Sequence, residues 1–243
     1  MKLFNTKWKR AILITVVVLL VLIIGCAIYV SDYYRADKEQ IEAFLPNVTT
    51  KVYKNGYITV GDENSDVGFV FYPGGKVEYD AYLPLMRSIS SQGVFCVLYE
   101  MPFNLAVLDI NAADGIHEEY PSVSSWYIGG HSLGGSMAAS YLSDNTDVFS
   151  GLVLLGAYST ADLSDAGTRV LSIYGSEDGV MNREKYEKNK ENLPEDFAEI
   201  VIDGGSHAYF GMYGEQSGDG KATISREHQI FFSADAIVDF LYE

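Results

Sequence analysis

Ser132, Asp178 and His207 are the residue types that together can activate a hydroxyl, and they occur in this order along the chain. Ser132 lies inside Gly130-His131-Ser132-Leu133-Gly134, a G-x-S-x-G pattern between an apolar run and a helix-like one. Such a pattern sets a serine on a sharp strand-to-helix turn and lifts its hydroxyl above a sheet. A serine hydroxyl becomes a competent nucleophile only when a base takes its proton. A neutral imidazole can accept that proton and later hand it to a leaving group. A carboxylate behind the imidazole fixes its tautomer and stabilises its charged form. The chemistry such a set would do is nucleophilic attack by an activated serine.

The partners follow from the expectation that loops at the carboxyl ends of parallel strands collect functional groups. The strand expected at 169–174 leads into Gly175-Ser176-Glu177-Asp178-Gly179. The strand expected at 198–202 leads into Asp203-Gly204-Gly205-Ser206-His207. Of the four histidines, only His207 follows a strand end in a glycine-rich loop. His131 is expected to be locked in the turn and to point elsewhere, and His117 and His228 fall in or beside polar helix ends. Asp178 competes with Glu177 and Asp203 for the carboxylate role and is better placed after its short turn. Two backbone N–H groups are expected to hold a developing oxyanion. One is that of Leu133, the residue after the serine. The other is that of Gly75 or Lys76, in the loop Tyr72-Pro73-Gly74-Gly75-Lys76-Val77.

These groups need a scaffold. Val67–Tyr72, Val94–Tyr99, Trp126–Ile128, Leu152–Leu155, Arg169–Tyr174 and Ala198–Ile202 are short apolar runs separated by helical stretches at 81–91, 105–115 and 137–142. That pattern predicts an α/β fold with a mostly parallel, doubly wound sheet buried on both faces. A hairpin around Asn55-Gly56 precedes it, and Ile230, Ala234, Ile237 and Leu241 mark a last helix packed on the sheet.

The chain has 243 residues, with 33 acidic against 17 basic. The first 31 residues hold four of the bases and no acid, so the remainder carries a formal charge of −20. An acidic body argues against nucleic acid, whose affinity comes from Lys and Arg on phosphate. It also disfavours anionic lipid. Residues 11–30 are apolar and uncharged, long enough to cross a bilayer as a helix. Basic residues precede them, which places the N-terminus in the cytoplasm and the catalytic domain outside the membrane. The expected division is a tail at 1–10, a transmembrane signal anchor at 11–30, a juxtamembrane stalk at 31–48 with a short helix near 37–45, and a catalytic domain at 49–243. Ile23-Ile24-Gly25-Cys26 loosely resembles a lipobox, which makes a lipid anchor at Cys26 the alternative. Cys26 and Cys96 imply no disulfide framework.

The elements Gly130-His131-Ser132-Leu133-Gly134-Gly135, Tyr72-Pro73-Gly74-Gly75-Lys76, Gly175-Ser176-Glu177-Asp178 and Gly205-Ser206-His207 together resemble the α/β-hydrolase superfamily from about Val67 onward. The chain is most similar to its compact branch related to dienelactone hydrolases, the α/β-hydrolase fold-5 proteins. The resemblance implies a serine hydrolase with Ser132 as nucleophile, Asp178 as acid, His207 as base and no cofactor or metal. Dienelactone hydrolases use a cysteine nucleophile, so their substrate is not implied, and Pro73-Gly74 replaces the His-Gly of many lipases. The stretch 157–168 is too short for a lid domain. The expected substrates are therefore small or surface-presented esters. Tyr72, Tyr79, Tyr209 and Phe210 are candidates for the substrate pocket, with packing beneath the last helix as the other reading. Glu78 and Asp80 would disfavour anionic substrates. Within the same fold, a peptidase or amidase and a non-catalytic binding scaffold are the alternatives. No dedicated protein partner is indicated.

Overall fold

The computed structural model describes residues 6–44, 49–53 and 56–243. Asn55 of the expected hairpin turn, Lys2 of the basic tail and residues 45–48 of the expected stalk lie outside the described residues. The chain divides into two compact units, 1–33 and 34–243.

The first unit is the helix α1 (Thr6–Ser31). Its 26 residues rise about 39 Å at 1.5 Å each, more than the roughly 30 Å of a hydrocarbon core. It is long and apolar enough to cross a membrane.

The second unit opens with α2 (Lys38–Ala43), capped by the Asp37 carboxylate on the Gln40 N–H. The strands β1 (Thr50–Tyr53), β2 (Tyr57–Val60) and β3 (Val67–Tyr72) follow, then α3 (Leu83–Ser90) and β4 (Phe95–Tyr99). After these come α4 (Ile116–Glu119), β5 (Ser125–His131), α5 (Leu133–Ser143), β6 (Phe149–Leu155) and β7 (Arg169–Gly175). The chain closes with α6 (Arg183–Asn189), β8 (Ala198–Ile202) and α7 (Arg226–Tyr242). One eight-stranded sheet runs in the order β1-β2-β4-β3-β5-β6-β7-β8. β1 and β2 are antiparallel additions at one edge, and β4 through β8 are parallel with β3.

The domain boundary at 48/49 needs correction. Ile41 and Phe44 of the expected stalk are buried in the sheet's core, and Tyr34 forms a parallel bridge with Val77. Hydrophobic burial and backbone pairing make 34–44 part of the second unit.

Side chains alternate across the sheet. Phe69, Phe71, Leu171 and Ile173 face α3 and α7, packing with Met86, Ile89, Ile230 and Ile237. Val70, Tyr72, Ile128 and Val170 face the other way, with Ala138 and Leu142 of α5. The expected helix at 105–115 is replaced by irregular turns, with a single helical turn at Ala106–Leu108. The cause is Tyr72. Its hydroxyl donates to the Ile110 carbonyl and accepts from the Ala113 N–H, both groups that a continuous helix would have used.

Register decides the position of the site. Tyr72 pairs with Gly130, His131 with Leu155, Leu155 with Ile173, and Gly175 with Ile202. The carboxyl ends of β3, β5, β6, β7 and β8 therefore lie along one edge of the sheet. The loops that begin at Pro73, Ser132, Gly156, Ser176 and Asp203 share that edge.

Candidate active site

The turn after β5 is tight because neighbouring backbone closes on it. A Cβ on Gly134 would run into the Tyr72 and Pro73 carbonyls, and one on Gly130 would stand 2.6 Å from the Tyr72 oxygen. Glycine removes both collisions. Ser132 takes φ 53° and ψ −120°, a left-handed conformation costing of order 1–3 kcal/mol. It occupies the N-cap position of α5, where serine side chains ordinarily bond the helix's free N–H groups. Ser132 makes no such bond, so its hydroxyl is left for other partners. Its own N–H is tied to the Leu155 carbonyl at 2.9 Å.

Asp178 and His207 meet as expected. His207 Nδ1 lies 2.8 Å from Asp178 Oδ2, with both side chains buried. The other carboxylate oxygen accepts the N–H groups of Val180 at 2.9 Å and Met181 at 2.8 Å. Burial pushes the Asp178 carboxyl up. The His207 hydrogen bond and charge, joined by the Met181 and Val180 N–H groups, outweigh it and hold the carboxyl below its ordinary range. Asp178 is therefore the ionised acceptor, and Nδ1 is the donor. In a neutral ring with its proton on Nδ1, Nε2 is the acceptor, and it is buried with no hydrogen-bond partner among the described residues. Of the competing carboxylates, Glu177 bonds the neighbouring Ser176 hydroxyl instead.

Because folding lowers the Asp178 pKa, its carboxylate adds stability above the unfolded value near pH 4 and loses it as pH falls through the lower folded value. Thermal melts between pH 6 and 3 should show the wild type losing more stability than Asp178→Asn below about pH 4. Equal losses would contradict the assignment.

Hydrogen bonding distinguishes the two backbone candidates in the loop after β3. Lys76 N–H donates to the Asn104 carbonyl at 2.7 Å, which corrects the expectation that it was available. Gly74 N–H donates to the Tyr82 hydroxyl at 3.1 Å. Val77 N–H donates to the Gly74 carbonyl at 3.2 Å. The Gly75 N–H meets no acceptor among the described residues. Gly75 also lies against Leu133, since a Cβ built on it would stand 2.9 Å from Leu133 Cδ2. Leu133 opens α5, so its N–H has no helical carbonyl four residues back. The site thus offers the Leu133 and Gly75 N–H groups.

A cleft of about 210 Å³ adjoins Ser132, lined by Leu133, Ser136, Ala157, Tyr158, Val180 and Met181 among others. Tyr72, Tyr79, Tyr209 and Phe210 are not in that lining. Strand alternation separates them. Tyr72 packs on the α5 face, whereas Phe210, Tyr209 and Tyr79 pack on the α7 face. They do not form one pocket, and Phe210 is core.

Several supports were not legible in the sequence. His131 does not point away from the site. Its ring centroid is 4.4 Å from that of His207, and its Nδ1 lies 2.8 Å from the Tyr82 hydroxyl. Burial first, and second the repulsion from His207 whenever that ring is protonated, hold His131 well below its ordinary pKa and so neutral. The last helix does more than pack. Gln229 accepts from the Ser206 N–H at 3.0 Å and donates to its carbonyl at 2.8 Å. Arg226 donates to the Ala208 carbonyl at 2.8 Å and the Gly211 carbonyl at 2.7 Å.

Asp219 is the most connected of these supports. Its Oδ1 accepts the N–H groups of Gly179 at 3.1 Å, His207 at 3.2 Å and Gly220 at 2.9 Å. Its Oδ2 accepts the Ala208 N–H at 2.8 Å. One carboxylate ties the acid loop to the base loop. Its sequence signal is slight: an aspartate between Gly218 and Gly220. Asp219→Ala should lower kcat roughly 10- to 100-fold with little change in KM, because a small displacement of the base is costly. Steady-state kinetics on a soluble ester measure the split, and an unchanged kcat would contradict it.

A model of the alpha/beta hydrolase family matches residues 68–231. No curated protein matches in sequence. Among solved structures, the chain is similar to the dienelactone hydrolase of Anabaena variabilis at 14% identity and a TM-score of 0.57, covering 81% of this chain and 99% of that one. It is similar to Est1E from Butyrivibrio proteoclasticus at 12% identity and a TM-score of 0.56, covering 81% and 98%. It is also similar to the acylaminoacyl peptidase of Pyrococcus horikoshii at 14% identity and a TM-score of 0.55, covering 84% and 43%. At such identities the structures share the fold alone. The matched family span takes in nearly all of β3, the turn that carries Ser132, Asp178 and His207, and the chain belongs to the alpha/beta hydrolase family.

Proposed function

We propose that this protein is a membrane-anchored serine hydrolase that cleaves small carboxylic esters through an acyl-serine intermediate. The observation that carries the reading is the buried pair of His207 Nδ1 and Asp178 Oδ2 at 2.8 Å, on the sheet edge from which Ser132 also leaves. Asp178 fixes the ring through Nδ1 and leaves Nε2 for the Ser132 proton.

The steps follow from the residues. Ser132 Oγ attacks the ester carbonyl as its proton passes to His207 Nε2. The carbonyl π pair moves onto oxygen, where the Leu133 and Gly75 N–H groups receive it. Collapse breaks the carbon–oxygen bond to the alcohol, and His207 returns the proton to the leaving oxygen. Water then repeats the sequence on the acyl-serine, releasing the acid and free Ser132. Asp178 stays ionised throughout and stabilises the imidazolium.

The cleft beside Ser132 is small and bounded by Leu133, Tyr158, Val180 and Met181, which favours short acyl groups. In this reading α1 is a retained signal anchor with its N-terminus in the cytoplasm, and the catalytic unit lies outside. A p-nitrophenyl ester series from acetate to palmitate, run beside aminoacyl anilides, tests the substrate class. The highest kcat/KM is expected for the short esters. A preference for anilides would replace the esterase reading with an amidase one.

A further inference from the structure

The loop that follows β4 combines features the reaction does not use. Phe103, Val107 and Leu108 are 64%, 50% and 55% exposed, within six residues of one another. Phe103 and Asn104 take φ values of 53° and 57°. Consecutive left-handed residues, one of them aromatic, are unfavourable and persist where surroundings impose them. The strain places the Asn104 carbonyl on the Lys76 N–H at 2.7 Å, beside the oxyanion residue Gly75. The Lys76 carbonyl in turn accepts the Tyr34 N–H at 2.7 Å, and the Tyr34 carbonyl accepts the Glu78 N–H at 2.9 Å. Glu78 also accepts the Ala36 N–H through its side chain at 2.9 Å, so its charge faces the juxtamembrane segment.

Lys76 is therefore gripped on one side by the apolar loop and on the other by the first residue of the catalytic unit. The apolar helix ends at Ser31, only three chain steps before Tyr34. Three residues span at most about 11 Å. If the helix is retained in a bilayer, a tether that short keeps Tyr34, and whatever is bonded near it, close to the lipid.

We propose that Phe103, Val107 and Leu108 form a bilayer-docking lip, inserting among lipids beside the oxyanion loop so that the site receives esters carried at the membrane surface. This rests on the anchor reading above. Large apolar side chains exposed this close together in sequence suit an interaction surface, and lipid is the partner within the tether's reach. Glu100 and Asp109 flank the lip, so its insertion is driven by apolar burial and not by anionic headgroups.

The test uses the full chain in phosphatidylcholine vesicles, in a Cys26→Ser background. An environment-sensitive fluorophore is attached at Leu108→Cys or, as a control on the outer strand β8, at Val201→Cys. Cys96 is buried, and burial pushes its thiol up, so it does not compete. Spin-labelled lipid is expected to quench the probe at 108 about fivefold more than the probe at 201. Adding phosphatidylglycerol should not increase that quenching.

A second arm leaves the strained Phe103 in place and uses Val107→Ser/Leu108→Ser. Hydrolysis of a vesicle-borne ester should fall about tenfold while a water-soluble ester is turned over as before. Equal quenching at both sites would overturn the docking lip, as would an equal loss on both esters, which would make the loop part of the substrate site. Flotation with vesicles after alkaline carbonate separates the two readings. Flotation with equal quenching leaves the anchor standing and removes the lip, and failure to float removes both.

Discussion

Ser132→Ala is expected to lower kcat/KM for a short activated ester by at least about 10⁴-fold, with residual turnover from the oxyanion donors and binding alone. The loss should fall on kcat, because the hydroxyl contributes to bond making and little to holding substrate. The variant should fold. Ser132 makes no side-chain cap bond to α5, and its N–H to the Leu155 carbonyl survives the change. The strained φ of 53° is kept by alanine, so stability should change little. Steady-state kinetics and a thermal melt on the same preparations check both halves. A variant that melts like the wild type yet retains activity within tenfold would sink the nucleophile assignment.

Asp178→Asn should be nearly as damaging, about 10⁴-fold in kcat, for a reason visible in the hydrogen bonds. Asp178 Oδ1 accepts two backbone N–H groups, from Val180 and Met181. An asparagine must keep its carbonyl oxygen there or leave both donors buried and unpaired. Its NH2 is then forced toward His207 Nδ1, which must become an acceptor. The ring proton moves to Nε2, the one nitrogen that has to be proton-free to take the Ser132 proton. The substitution inverts the tautomer while preserving the shape. The ring nitrogens' NMR shifts would report the inversion directly, and activity should recover little between pH 7 and 9. A kcat within tenfold of wild type would show that Asp178 does not set the tautomer.

What the sequence made legible followed strand periodicity. Continuous apolar runs located the parallel strands, and the loops at their carboxyl ends carry Ser132, Asp178 and His207. Four features escaped for separate physical reasons. The 105–115 stretch has a helical pattern, but the Tyr72 hydroxyl, coming from another strand, takes the Ile110 and Ala113 backbone groups. Tyr72 and Phe210 both flank site loops in the sequence. The parity of β3 sends Tyr72 to the opposite face of the sheet. The charged segment after α1 reads as a stalk, yet Ile41 and Phe44 are buried in the core and Tyr34 pairs with Val77. Asp219 could not be ranked above other loop aspartates, since its role lies in four N–H groups gathered from two loops, one of them forty residues away.

The division of labour in the site is also clearer than the motifs alone allow. The glycine-rich loop after β3 contains several N–H groups, but tertiary bonds commit those of Gly74 and Lys76, and a turn within the loop commits that of Val77. Gly75 is left facing Leu133. His131 packs its ring on His207 and connects it, through the Tyr82 hydroxyl, to Gly74 in the loop after β3.

The central claim is that Ser132 is a nucleophile activated by His207, and active-site labelling tests it most directly. The folded full chain should react with a fluorophosphonate probe, and peptide mass spectrometry should place one adduct on Ser132. Ser132→Ala and His207→Ala should both remain unlabelled while retaining their fold. A correctly folded wild type that takes up no probe, or an adduct on another residue, would contradict the account.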